Sequence, residues 1–502
     1  MNVDIETTSG TVRGVASDTE GKYLKWLGIP YAEPPVGSLR FKRAVSYKKR
    51  DEVIVCDRHK AAPVQMAGGR FGELMDKGIG SVQSEDCLTL NVWSFKGAIK
   101  APVFVYIFGG SFHAGDSGAK DVQLDAFSKD GVVAVSFNYR LGVLGFYDFS
   151  MLDPSFESNC GVSDMILALK WIHENIASFG GDPERVTLCG ESAGGSAVAA
   201  LMAAPSVRGY FHRAVMMSPV LSNVTTDRLQ SIYRERYLKT LGIDKSEVAK
   251  LRELSVDELK KGCEVIFTGA DTDTPGTVSP GPVIDDLIPH KPLDFIKRGE
   301  SRDVSCMFGT CADEGALFWF LRLCCMSWED VDEMLRATGY AHKKKDFHRI
   351  YSNLGEKKAV RAINRDRLFW ADTMKMAIAQ SEYNENTYMY RFEYETPLSR
   401  MLGLGATHTM DICPALGTTE GIYALPYMRD IKRGRYKRLS EALHGAFIDF
   451  VRTGKPSVAE ENWETFRPSI QSVMHFSSEI YQTFERINPE IYELFSDMEL
   501  YV

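Results

Sequence analysis

The sequence predicts an α/β protein built on a large, mostly parallel sheet with helices on both faces. Three observations predict it. Short apolar runs recur as APVFVYIF (101–108), GVVAVSFNY (131–139), RVTLCG (185–190) and VSCMFG (304–309). Near-continuous apolar strands belong in sheets buried on both faces, because a solvated face calls for alternation. Between them lies helical spacing: in DMILALKWIHENIASF (164–179), Ile166, Leu167, Leu169, Ile172 and Ile176 fall mostly on one face. The alternation of the two patterns is the third observation, and it is the mark of layered α/β architecture.

Taken in order, the chain opens with MNVDIETTSGTVRGV, a strand-like alternation broken by a Ser-Gly turn. It has neither a basic segment nor the apolar stretch of a secretory leader, so no leader is expected. MAGGRFGELMDKGIGSVQ (66–83) is glycine-rich and reads as a loop, as does TGADTDTPGTVSPGP (268–282). FHRAVMMSP is followed by charge-rich helical segments, and residues from about 320 to 400 read as a charged helical region, a lid or an insertion. No linker composition divides the chain, so residues 1–502 are expected to form one large domain with insertions.

Composition removes several classes of function. A formal net charge of −8 argues against a general nucleic-acid binder. No run approaches the roughly 18 apolar residues of a membrane span. Ten cysteines are scattered without CxxC pairs, and the adjacent Cys324 and Cys325 are poorly spaced for chelation. Buried free thiols are expected, and with them a reducing, cytoplasmic location.

The segment carrying chemistry is CGESAGGS (189–196), between the apolar VTL and the small-residue run AVAALMAA. A serine hydroxyl is a weak nucleophile and needs a base presented to it. Gly190 and Gly194, two residues either side of Ser192, leave room for a sharp strand-to-helix turn, the G-x-S-x-G elbow. The following helix aims its N-terminal amides at the site, where they favour developing negative charge.

Several long segments, in order, resemble the type-B carboxylesterases, the family that includes the cholinesterases, and within it the bacterial para-nitrobenzyl-esterase-like members. They are GIPYAEPPVGSLRF (28–41), SEDCLTLNVW (84–93), YIFGGSFHAG (106–115), FNYRLGVLGF (137–146), ALKWIHENIASFGGDPERVTLCGESAGG (168–195), ATHTMDICPALG (406–417) and WETFRPSIQSVMHF (463–476). The resemblance covers nearly the whole chain and implies an α/β-hydrolase fold with helical insertions near the active-site gorge. It also implies a serine carboxylesterase acting through an acyl-enzyme, with no cofactor and no metal.

In this fold the catalytic triad runs serine, acid, histidine along the chain. The family's acid lies in a D-E-G segment after a buried strand; in TCADEG that is Glu314, with Asp313 the rival. Its histidine precedes an acidic residue and a proline; in ATHTMD that is His408. By resemblance the amides of Gly110, Ser111 and Ala193 form the oxyanion hole, although relatives more often carry Gly or Ala where Ser111 stands. Arg40 with Glu85 and Arg140 with Asp164 match structural ion pairs. Glu191 matches a residue facing the site in relatives, though a neighbour of the serine can equally point away. His113 either lines the pocket or is a plain loop histidine.

Two departures bear on function. Secreted relatives pair the SEDC cysteine with an upstream one. Here Cys56 stands too early, so Cys87 is expected to be unpaired. The stretch GELMDKGIGSVQ lacks the tryptophan with which cholinesterases hold a cation, which argues against choline esters. PVIDDLIP (282–289) resembles the stretch shaping the acyl pocket, making Leu287 and Ile288, together with Phe318, the expected substrate contacts. The implied partner is a small-molecule ester of short to medium chain, or an aryl or alkyl ester. Neither nucleic acid nor membrane is expected, and monomer and homodimer both remain open. The same triad chemistry serves thioesters, amides and carbamates, and some relatives without the catalytic residues are binding proteins.

Overall fold

The computed structural model describes residues 2–79, 82–264, 280–458, 463–484 and 488–498. They form one sheet of thirteen strands: β1 (Asn2–Thr7), β2 (Gly10–Ala16), β3 (Tyr23–Pro30), β4 (Ile54–Val55), β5 (Thr89–Phe95), β6 (Ala101–Ile107), β7 (Val133–Phe137), β8 (Gly181–Glu191), β9 (Arg213–Met217), β10 (Ser305–Cys311), β11 (Thr387–Phe392), β12 (Val473–Phe476) and β13 (Ile480–Thr483). The spatial order is β1-β2-β3-β5-β7-β6-β8-β9-β10-β11-β12-β13, with β4 paired to β2. From β7 to β12 every neighbouring pair is parallel. The flanking pairs, β1 to β7 and β12 to β13, are antiparallel.

The apolar runs explain this arrangement. All residues of β6 and β7 are buried, as two-sided coverage requires. At about 1.5–3 kcal/mol for each large side chain taken from water, these central strands supply much of the driving force. β1 instead alternates exposed and part-buried residues, the pattern of an edge strand with one wet face. Helix Cys160–Asn175 covers the predicted helical run to Asn175, a 3-10 turn, Ile176–Phe179, completes it, and the helix packs on β8; helix Arg435–Thr453 packs on β6 and β8.

Strand order places the site. From β6 the chain steps outward to β7, then returns to β8 on the other side of β6 and proceeds to β12. The carboxyl ends of β6 and β8 therefore flank a topological switch point, where loops leave in opposite directions and open a crevice.

Two expectations change. The glycine-rich stretch 66–83 is not all loop, since Gly69–Asp76 is a helix whose Gly72 and Met75 are buried. Glycine density pointed to a turn, but tertiary burial outweighed the local propensity. Of the loop 268–282, residues 268–279 lie outside the described residues. Within 320–400, helices run to Ser381, but Thr387–Phe392 is β11 of the central sheet. No helix among the described residues is long and apolar enough to cross a membrane. All ten cysteines are buried and free, Cys56 and Cys87 included.

Candidate active site

Register assembles the site. Ile107 of β6 pairs with Gly190 of β8, Glu191 with Met217 of β9, and Met217 with Gly309 of β10. The residues leaving these strands, Gly109, Ser192, Ser218 and Glu314, therefore emerge along one edge of the sheet.

Ser192 stands between β8 and helix Ala193–Met202 with φ 57° and ψ −123°. A serine held there costs about 1–3 kcal/mol of backbone strain, which the surroundings must offset. Its N–H donates to Met217 O at 2.8 Å, tying the elbow to the next strand. A Cβ on Gly194 would fall 2.1 Å from Ile107 O, and one on Gly190 would fall 2.3 Å from the Gly194 backbone. The elbow thus closes only where side chains are absent.

His408 is buried, and its Nδ1–H donates to Glu314 Oε2 at 2.5 Å. The other oxygen, Oε1, accepts from Cys311 N–H at 2.6 Å and Ser218 Oγ–H at 2.5 Å. Three donors on one buried carboxyl group fix its orientation. A proton held on Nδ1 leaves Nε2 as the ring nitrogen with a free lone pair. Asp313 is excluded as its partner: its Oδ2 accepts from Ala406 N–H at 3.3 Å.

The far side of the ring meets Glu191. Nε2 lies 3.3 Å from Glu191 Oε1, so this neighbour of the serine faces the site. Burial pushes the Glu191 carboxyl up to about 8. For His408, burial disfavours the charged ring, but Glu191 and Glu314 outweigh it and raise the group to about 9. The two groups face each other and are electrostatically coupled, so each shifts the other's titration. Asp411, raised by burial to about 6, accepts from Tyr390 Oη–H at 2.7 Å and adds negative charge behind them.

The loop after β6 turns beneath the serine. A Cβ on Gly109 would lie 3.0 Å from Ser192 Cβ. Gly110 and Ser111 have φ of 114° and 57°, so the loop reverses sharply there. Ala193 opens its helix, and its N–H has no acceptor one turn earlier. His113 is wholly buried, with Nδ1–H donating to Ser111 O at 2.9 Å; burial lowers its ring to about 4 and keeps it neutral. It braces this loop.

The expected substrate contacts divide. Phe318 packs edge-on to His408, ring centres 5.2 Å apart, in a cluster with Val220, Cys324, Leu368 and Phe369. Ile288 is wholly buried in the main core, with Leu287 packed against it, and both amides donate to Asp285 Oδ1. Arg40 bonds Glu85 through Nε at 2.7 Å, and the buried Arg140 bonds Asp164 at 2.7 Å.

The whole-chain match agrees with this geometry. Residues 2–494 match the model of the carboxylesterase family. The chain belongs to the carboxylesterase family. It is a carboxylic ester hydrolase, 31% identical over 488 residues to the para-nitrobenzyl esterase of Bacillus subtilis, covering 95% of each chain. Phenmedipham hydrolase of Pseudarthrobacter oxydans is 30% identical over 478 residues, covering 93% of this chain and 94% of its own. Among solved structures, a PNB esterase superposes with a TM-score of 0.87 at 28% identity, over 99% of this carboxylesterase and 100% of the other chain. A Geobacillus stearothermophilus carboxylesterase gives 0.82 at 26%, over 97% and 98%.

Sequence reasoning missed Ser218 and Phe369. Ser218 follows β9 as Ser192 follows β8, a parallel visible once FHRAVMMSP is taken as a sheet strand. Phe369, whose ring centre is 4.6 Å from that of His408, sits in a π-helical turn, Asp366–Trp370. Such wide turns often mark functional sites but leave no sequence signal.

Proposed function

We propose that Ser192, His408 and Glu314 act as a catalytic triad for carboxylic esters. His408 Nε2 takes the Ser192 proton as Oγ attacks the ester carbonyl, forming a C–O bond and a tetrahedral oxyanion. The amides of Gly110, Ser111 and Ala193 stabilise that oxyanion. Its collapse breaks the ester C–O bond, and the imidazolium gives its proton to the departing alcohol. Water, deprotonated by the same nitrogen, then attacks the acyl-enzyme and releases the acid. Glu314 holds the tautomer and stabilises the imidazolium.

The observation carrying this reading is the 2.5 Å His408–Glu314 hydrogen bond at the sheet edge from which the strained Ser192 turn also leaves. We further read the whole chain as one unit, because a single sheet uses strands from both ends of it. Ten free thiols favour a cytoplasmic setting. Phe318, packed against His408, shapes an acyl pocket for short to medium chains, whereas Leu287 and the wholly buried Ile288 serve the core.

Hydrolysis of p-nitrophenyl esters from acetate to decanoate, by wild type and Ser192→Ala, tests the reading. It expects activity with a short- or medium-chain optimum that Ser192→Ala abolishes. Full activity in a folded Ser192→Ala protein would overturn it.

A further inference from the structure

The protein carries a formal net charge of −8, yet one surface cavity has the opposite sign. It has a volume of about 820 Å³ and is lined by Lys25, Arg58, His59, Lys77 and Lys120, against one acidic lining residue, Asp57. Arg58 reaches Asp57 only at 3.9 Å. Among the described residues, no carboxylate pairs with Lys25, Lys77 or Lys120. Unpaired cations lining a concave, low-dielectric wall focus their field into the cavity.

His59 is fixed in the wall of the cavity. Its Nδ1 lies 3.1 Å from Asn91 Oδ1 and its Nε2 3.1 Å from Gln123 Oε1. Neither amide is free to turn. Asn91 donates its NH₂ group to Ser117 and Ser136 while Oδ1 accepts from Gly28 N–H. Gln123 donates its NH₂ group to the carbonyls of Gly118 and Ala119. Each ring nitrogen therefore faces an amide oxygen, and these two contacts hold the ring in the cavity wall.

The cavity is also part apolar, with Leu74, Ile422 and the exposed Leu425 along its wall. Gly78, Ala119 and Ile422 are shared with a smaller cavity of about 30 Å³ that reaches Gly109, beside Ser192. We propose that this pocket binds amphiphilic monocarboxylates, the carboxylate against the basic wall and the alkyl chain along Leu74, Ile422 and Leu425. This is the chemical class of the acid that ester hydrolysis releases, and the choice of class rests on the esterase reading above.

The test is calorimetric titration with sodium decanoate of protein whose Ser192 has been capped by a fluorophosphonate, which removes the catalytic pocket from the measurement. One decanoate binds per chain, decyltrimethylammonium does not, and salt weakens the binding. Lys25→Glu/Lys120→Glu weakens decanoate by about tenfold or more and leaves p-nitrophenyl acetate turnover and Tm of the uncapped protein unchanged. Should that variant fold poorly, Leu425→Asp gives the same loss through the apolar half. Absence of binding to capped wild type, or equal affinity in the reversed variant, overturns the proposal. Failure of capping overturns the esterase reading instead, and the titration is then run on uncapped protein.

Discussion

Glu314→Gln replaces one carboxylate oxygen by NH₂, and the structure fixes which one. Oε1 accepts from both Cys311 N–H and Ser218 Oγ–H, so the amide oxygen must stay there. The NH₂ then faces His408 Nδ1, where Oε2 now lies at 2.5 Å. Two donors cannot face each other, so the ring proton moves to Nε2, where Glu191 Oε1 at 3.3 Å accepts it. The base is then in the wrong tautomer. The variant also loses the charge that supports the imidazolium, about 4 kcal/mol for charges about 4 Å apart at an effective dielectric of about 20. That corresponds to a fall of about 10³-fold in kcat, and the tautomer carries it toward about 10⁴-fold, the loss known for the equivalent change in a serine-protease triad. Stopped-flow hydrolysis of p-nitrophenyl acetate reads this directly, with KM little changed, while Asp313→Asn stays near wild type. A folded Glu314→Gln within tenfold of wild type would refute the reasoning.

Other outcomes follow from the same geometry. Glu191→Gln removes an anion that favours the imidazolium, so neutral His408 persists to lower pH; the acidic limb of the kcat/KM profile moves down, and an unmoved or rising limb contradicts the pairing. Gly194→Ala sets a Cβ 2.1 Å from Ile107 O and should cost at least about 1–3 kcal/mol of stability in denaturant unfolding; a neutral effect would mean the elbow relaxes. Arg140→Met strands the wholly buried Asp164 and should cost about 3–5 kcal/mol, whereas Arg13→Met, at the exposed pair with Asp4, should cost under about 1 kcal/mol. Equal losses at the two pairs contradict the burial argument.

The central sheet was legible because its strands are buried on both faces and announce themselves as apolar runs. Edge strand β1 was legible as alternation, but β4 and β13 were not: both are short, and only pairing with a neighbour makes them strands. The elbow could be read because its glycines answer a local steric demand. His408 and Glu314 were legible through motif order, not through any local property of a histidine or a glutamate. Ser218 and Phe369 reach the site through strand register and a π-turn, both of which arise only when the whole sheet closes. The helix at 69–76 was hidden because its glycines argue for a turn while its buried contacts lie far along the chain.

The central claim is that Ser192 is the nucleophile, and mass spectrometry after fluorophosphonate treatment tests it most directly. The account predicts one adduct per chain, on the peptide bearing Ser192, absent in Ser192→Ala and formed far more slowly in His408→Ala. An adduct on another residue, or hydrolysis that continues with Ser192 fully capped, would contradict it.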